Sequence, residues 1–142
     1  MIQCFEEFCV ETNGQGLYEI TDSILKLCTA SKIRNGLINL NILHTSASII
    51  IQENADKNVL TDLLYYFKNL APFIEEYTHM SEGKDDMPEH IRSALTHSHL
   101  VQSIKNSHLI LGQWQGIFLF EHREKPRKRW LICHIIGRIE AA

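Results

Sequence analysis

At 142 residues, with 44% apolar and 22% charged side chains, the chain has the size and composition of one compact domain over residues 1–142, and a disordered polypeptide is excluded. A formal net charge of −3, with both signs spread along the chain, gives no overall field favouring a polyanion or a membrane surface. The scattered cysteines Cys4, Cys9, Cys28 and Cys133, the acidic opening MIQCFEEFCVE and the lack of an apolar run of about 18 residues point to reduced thiols, no signal peptide and a cytoplasmic location.

Residues 3–18 read as extended structure broken by Thr12-Asn13-Gly14-Gln15-Gly16, so a β-hairpin is expected there. Thr21 and Asp22 offer capping oxygens to a short helix whose apolar face is Ile24, Leu27 and Cys28 and which ends before Gly36. Ile38, Leu40 and Ile42 then alternate with Asn39 and Asn41 as in a half-buried strand, with His44 continuing the apolar face, and residues 48–51 resume extended character. Asn54 or Asp56 caps a helix that presents Val59, Leu60, Leu63, Leu64 and Phe67 to the core, and Pro72 stops it. Residues 75–86 lack a period and read as a loop, whereas Pro88 suits the first turn of a short polar helix reaching about Leu95. Two last strands, 116–122 and 129–136, are expected to pair as a central hairpin across the basic turn HREKPRKRW, which is either a solvated loop or a phosphate-steering one.

Several groups along this framework could carry chemistry. Asp86 and His90 stand four apart at a helix start, so a carboxylate and an imidazole meet across one turn, either as a proton-transfer pair or as a helix cap beside an exposed histidine. Glu82 and Asp85 add carboxylates that could hold a hard divalent cation such as magnesium, or be merely solvated. His44, Thr45, Ser46 and Ser48 place an imidazole and three hydroxyls just beyond a strand, a set suited to gripping phosphate, while Glu53 and Asn54 lie where a helix begins. In Leu111-Gly112-Gln113-Trp114-Gln115-Gly116 two glycines flank a tryptophan, which stacks on a flat ring or plugs a core or subunit contact. Glu121 and Arg123 are two apart on a strand and form an ion pair or reach one cavity; for a metal, the candidates are His44, His90 and Glu121.

Taken together, LHTSASIIIQENAD, EGKDDMPEHI and LGQWQGIFLFEHR, with the opening GLYEITD, resemble in order and spacing the YjbQ-like family, also called secondary thiamine-phosphate synthases. The resemblance implies an α+β fold of antiparallel sheets packed as a sandwich with flanking helices, assembled as a homotrimer with sites near subunit boundaries. It also implies a transferase that joins hydroxymethylpyrimidine pyrophosphate to a thiazole phosphate, with His90 in proton transfer, Asp86 orienting it, His44 and Ser46 on the phosphate and Trp114 against the pyrimidine. The alternatives are a hydrolase of a small phosphorylated or damaged metabolite and a trimeric ligand-binding protein. Here Lys84 replaces the family's usual proline, Glu89 its alanine and Gln113 its threonine, and residues 97–108 lack the usual proline and glycine.

Overall fold

Burial of every second side chain sorts the strands into two antiparallel sheets facing each other across one core. The computed structural model describes residues 1–139. In chain order these form β1 (Ile2–Thr12), β2 (Gly16–Glu19), α1 (Thr21–Ser31), β3 (Asn35–Ile42), β4 (Ala47–Glu53), α2 (Lys57–Leu70), α3 (Asp86–Leu95), β5 (His99–Lys105), β6 (His108–Leu109), β7 (Gln115–Glu121) and β8 (Arg127–Arg138). The larger sheet runs β1-β8-β3-β5-β6 and the smaller β2-β7-β4.

Ile38, Leu40 and Ile42 of β3 and Leu131, Cys133 and Ile135 of β8 point inward from the larger sheet and meet Ala47, Ile49, Ile117 and Leu119 of the smaller one. β7 is covered on both faces. Its Phe118 and Phe120 turn away from the core, and Phe120 meets Phe67 of α2 edge-on at 5.1 Å between ring centres. Helix α1 adds Ile24 and Cys28 to the core. The α+β sandwich expected from the resemblance is therefore the observed architecture. Among the described residues no helix is long and apolar enough to cross a membrane.

Both predicted hairpins are corrected. β1 pairs with β8 along its whole length, from Ile2 opposite Gly137 to Thr12 opposite Arg127, whereas β2 pairs with β7. The turn at Gly14 (φ 120°) therefore carries the chain from one sheet to the other. Likewise β7 and β8 lie in different sheets, and the basic segment between them is the crossing. Two further expectations shift. The residue preceding α1 is Ile20, which supplies no side-chain cap; the Thr21 hydroxyl instead donates to Glu19 and accepts from the Ile117 amide. Residues 97–108, for which no element is expected, contain β5 and the start of β6. Asp56 does cap α2, accepting from the Asn58 amide at 2.9 Å. Gly36 and Gly137 face each other across β3 and β8, where a Cβ on either would lie within 2.3 Å of a carbonyl oxygen of the opposite strand.

Candidate metal centre

Asp86 opens α3 and is 2% exposed, an unusual position for a carboxylate unless cations and donors surround it. They do. Arg123, just past β7, donates to Asp86 Oδ1, while Oδ2 faces two imidazoles: His79 Nε2, in direct contact, and His90 Nε2, at 3.3 Å and one helical turn away. One ligand atom from each of His79, Asp86 and His90 lies within 4.8 Å of the others. The two histidines are partly exposed, so the cluster has a buried carboxylate floor and a side open to solvent.

The tautomer of His90 carries the argument. Its Nδ1 lies 3.2 Å from the Thr45 carbonyl, an acceptor only, so Nδ1 holds the hydrogen. In the neutral ring Nε2 is then a lone pair aimed at a carboxylate oxygen, an arrangement that a cation between them, or a second proton on the ring, makes favourable. An imidazole fixed from behind by a backbone carbonyl is also how metal-ligating histidines are oriented. The segment around His44 therefore contributes to the centre through the backbone of Thr45 rather than through its side chains. The His44 ring is turned elsewhere, its Nε2 accepting the Trp130 amide at 2.8 Å. Burial, then the charge of Arg129, holds its pKa below the usual imidazole value.

Arg123 also lies 3.0 Å from Glu89 Oε2 and 3.9 Å from Asp85, so one guanidinium faces three carboxyls. Burial is the larger influence on Glu89 and raises its pKa to about 9, with a hydrogen bond to Asp85 adding to the rise; the nearby guanidinium opposes this without prevailing. Geometry suggests an ion pair at Glu89, but a single positive charge shared among three acids cannot hold all three ionised, and a neutral Glu89 is the better description. Asp85 is correspondingly held low: burial raises it, and the bond from Glu89 and the charge of Arg123 together outweigh burial.

Behind this group, Glu121 is fully buried and accepts from Arg129 Nε at 2.7 Å, from Thr12 at 2.7 Å and from the Arg123 amide at 3.0 Å. Burial pushes its carboxyl up, but those donors outweigh burial and keep it ionised. Arg129 Nη2 continues to the Ser46 carbonyl at 3.2 Å and hydroxyl at 3.0 Å. Glu121 is thus committed to Arg129 rather than to the side chain of Arg123 or to a metal. Of the three metal candidates drawn from the sequence, His90 alone belongs to the cluster. His79 was missed, since it stands in a stretch without periodicity. Arg129, expected at the boundary between the basic turn and the last strand, lies within β8.

The remaining expected positions gather elsewhere. Ala47 pairs with Glu121 and Glu53 with Gln115 at opposite ends of the β4–β7 ladder, so Glu53, Asn54, Gly112, Trp114 and Gln115 lie about 20 Å along the strands from the histidines. There the Trp114 carbonyl accepts the Asn54 amide at 2.9 Å, Gln115 Oε1 accepts the Gly112 amide at 2.7 Å, and the indole is 57% exposed. Within one chain, Trp114 and the Asp86–His90 pair do not share a cavity.

The family model described as UPF0047 protein YjbQ-like matches residues 6–138. The chain belongs to this family. It is 45% identical over 135 residues to the UPF0047 protein sll1880 of Synechocystis, covering 94% of this chain and 92% of that one. It is 40% identical over 124 residues to the UPF0047 protein YjbQ of Salmonella typhimurium, covering 87% and 90%. Among solved structures, an uncharacterized YjbQ/UPF0047 protein from Clostridium acetobutylicum superposes with a TM-score of 0.85 at 33% identity, covering 92% of this chain and 99% of that chain. A YbjQ-like protein of unknown function from Sulfolobus solfataricus gives 0.85 at 20% identity and supports the fold alone, covering 96% and 100%. These family members carry no reaction in their descriptions. The expected thiamine-phosphate synthase activity is therefore corrected: membership in the UPF0047 family brings with it no synthase function.

Proposed function

We propose that this YjbQ-like chain is a divalent-metal protein in which His79, Asp86 and His90 hold one cation for Lewis-acid chemistry on a small oxygen-bearing ligand. The observation that carries the reading is the fixed His90 tautomer, which leaves its Nε2 lone pair facing Asp86 Oδ2 at 3.3 Å. Two imidazoles and one carboxylate suit zinc or another first-row transition ion better than magnesium, which prefers an all-oxygen shell. Three protein ligands leave a coordination position open, as in catalytic rather than structural sites. A cation there supplies polarisation of a bound water or of a carbonyl or phosphoryl oxygen. Arg123 positions Asp86 by holding its other oxygen, and the Thr45 carbonyl positions His90.

Zinc titrated calorimetrically into chelator-treated protein should bind at one equivalent per chain, with binding lost in His79→Ala and in His90→Ala. Equal zinc affinity in the wild type and both variants would remove the reading.

The homotrimer remains part of the proposal. The outer face of the larger sheet leaves Phe5, Leu37, Val101 and Trp130 between 43% and 62% exposed, apolar area that further copies of the chain would cover. Light scattering after gel filtration should give the mass of three chains, and Leu37→Glu with Val101→Glu should give the mass of one; a monomeric wild type contradicts this assembly. Four free cysteines, two of them buried, support a reducing cytoplasmic compartment.

A further inference from the structure

A cavity of about 370 Å³ lies between the C-terminal end of α2 and the face of α3 that carries Pro88 and Arg92, a face that Asp85 continues just before the helix. That face is turned by roughly two-fifths of a helical rotation, about 150°, from the one bearing Asp86 and His90. The cavity is therefore distinct from the metal cluster, with Arg123 standing between the two in contact with Asp85 on one side and Asp86 on the other.

Its wall contains a buried guanidinium that no carboxylate touches, although Glu89, Glu124 and Asp85 act on it from farther off. Arg92 is 7% exposed, and its guanidinium donates only to backbone carbonyls: Nε to Phe67 at 3.3 Å and Nη2 to Ala71 at 3.0 Å. The comparably buried Arg123 and Arg129 each have a carboxylate within 4.0 Å; among the described residues Arg92 has none. Buried charges in folded proteins are ordinarily paired, and an exception lining a cavity marks the place of an external counter-ion. Lys68 and Lys84 line the same space, with Lys84 Nζ 5.3 Å from the centre of the Phe73 ring, another wall. Against these three cations stand two acids: Asp85, already facing Arg123, and Glu124, which is exposed. The balance is positive, one wall is a flat apolar ring, and the volume is that of a small-molecule site.

The geometry points to a second binding site in this cavity, for a small aromatic oxyanion whose phosphate or carboxylate is held by Arg92, Lys68 and Lys84 while its ring lies against Phe73. The site is independent of the metal reading, because none of these four residues belongs to the His79–Asp86–His90 cluster.

Phenyl phosphate titrated into the protein provides the test, with inorganic phosphate in parallel to measure what the ring adds. Binding should persist in chelator and in His90→Ala, weaken as salt is raised, and fall by roughly fivefold or more in Lys68→Glu and in Lys84→Glu. Both lysines are exposed side chains, so these variants keep the fold even where replacing Arg92 would release the end of α2. Weaker binding of inorganic phosphate than of phenyl phosphate supports the ring contact with Phe73. The proposal is overturned by an absence of phenyl phosphate binding at millimolar concentration, or by binding that ignores both lysine variants and disappears with chelator, which would put the anion on the metal.

Discussion

Arg129→Met is expected to lower folding stability by about 3–5 kcal/mol, because it strands Glu121 as a buried charge without its principal partner. Arg129 is 4% exposed and Glu121 is fully buried, and the pair closes the junction at which β7 of the smaller sheet gives way to β8 of the larger. Thr12 of β1 bonds the same carboxylate, and Arg129 reaches Ser46 just before β4, so four strands from two sheets meet at one ionised group. Urea unfolding followed by circular dichroism reads the loss as a lower midpoint at unchanged slope. The double replacement Glu121→Met with Arg129→Met should recover much of it, since removing both charges removes the desolvation problem. The consequence extends to the centre. Ser46 adjoins Thr45, whose carbonyl orients His90, so Arg129→Met should also weaken zinc binding by about tenfold, in the range found for outer-shell partners of metal ligands. A variant with wild-type stability and wild-type zinc affinity would show that the junction is not organised by this pair.

How much of this was readable beforehand differs by residue, for physical reasons. The spacing of Asp86 and His90 fixes their proximity wherever a helix forms, so that pair was visible in the sequence. His79 reaches the same carboxylate from a loop, and no local period encodes where a loop side chain ends. Most strands were found, β5 and β6 excepted, but their partners were not, because period-two alternation sets which face a strand buries and leaves open which neighbour it joins. Alternation did hold an unused signal. Arg129 is in phase with Leu131, Cys133 and Ile135, and Glu121 is in phase with Ile117 and Leu119, so each charge sits on the core-facing row of its strand. Two opposite charges in phase with two apolar rows indicate a buried pair between sheets, where proximity to Pro126 had suggested a solvated turn. Trp114 and the histidines come from equally prominent motifs, but the β4–β7 ladder separates them, a distance that sequence order does not reveal.

Acidification offers the second large effect, through His122. This ring is 1% exposed, and burial, followed by the charge of Arg92, lowers its pKa to about 3. Its Nε2 lies 2.9 Å from the Ser48 hydroxyl, which is itself 2.6 Å from the Thr96 hydroxyl, so the ring is held by neutral groups that offer no compensation for a positive charge. In the unfolded chain the same ring titrates near 6.5. Between those two values the unfolded state binds a proton that the folded state does not, so stability from this group is fully present above pH 6.5 and declines as pH falls toward 3. From pH 7 to pH 5 the decline from His122 alone is about 2 kcal/mol, at roughly 1.4 kcal/mol per pH unit below the unfolded value. His122→Gln keeps a group able to bond Ser48 and cannot titrate. The stability gap between wild type and His122→Gln should therefore shift by about 2 kcal/mol in favour of the variant over that interval, as measured by urea midpoints at each pH. A gap that stays constant from pH 7 to pH 5 would mean that the buried ring is already charged or is solvated. In either case Ser48 and Thr96, which join β4 to the end of α3, would be held by something other than a neutral histidine.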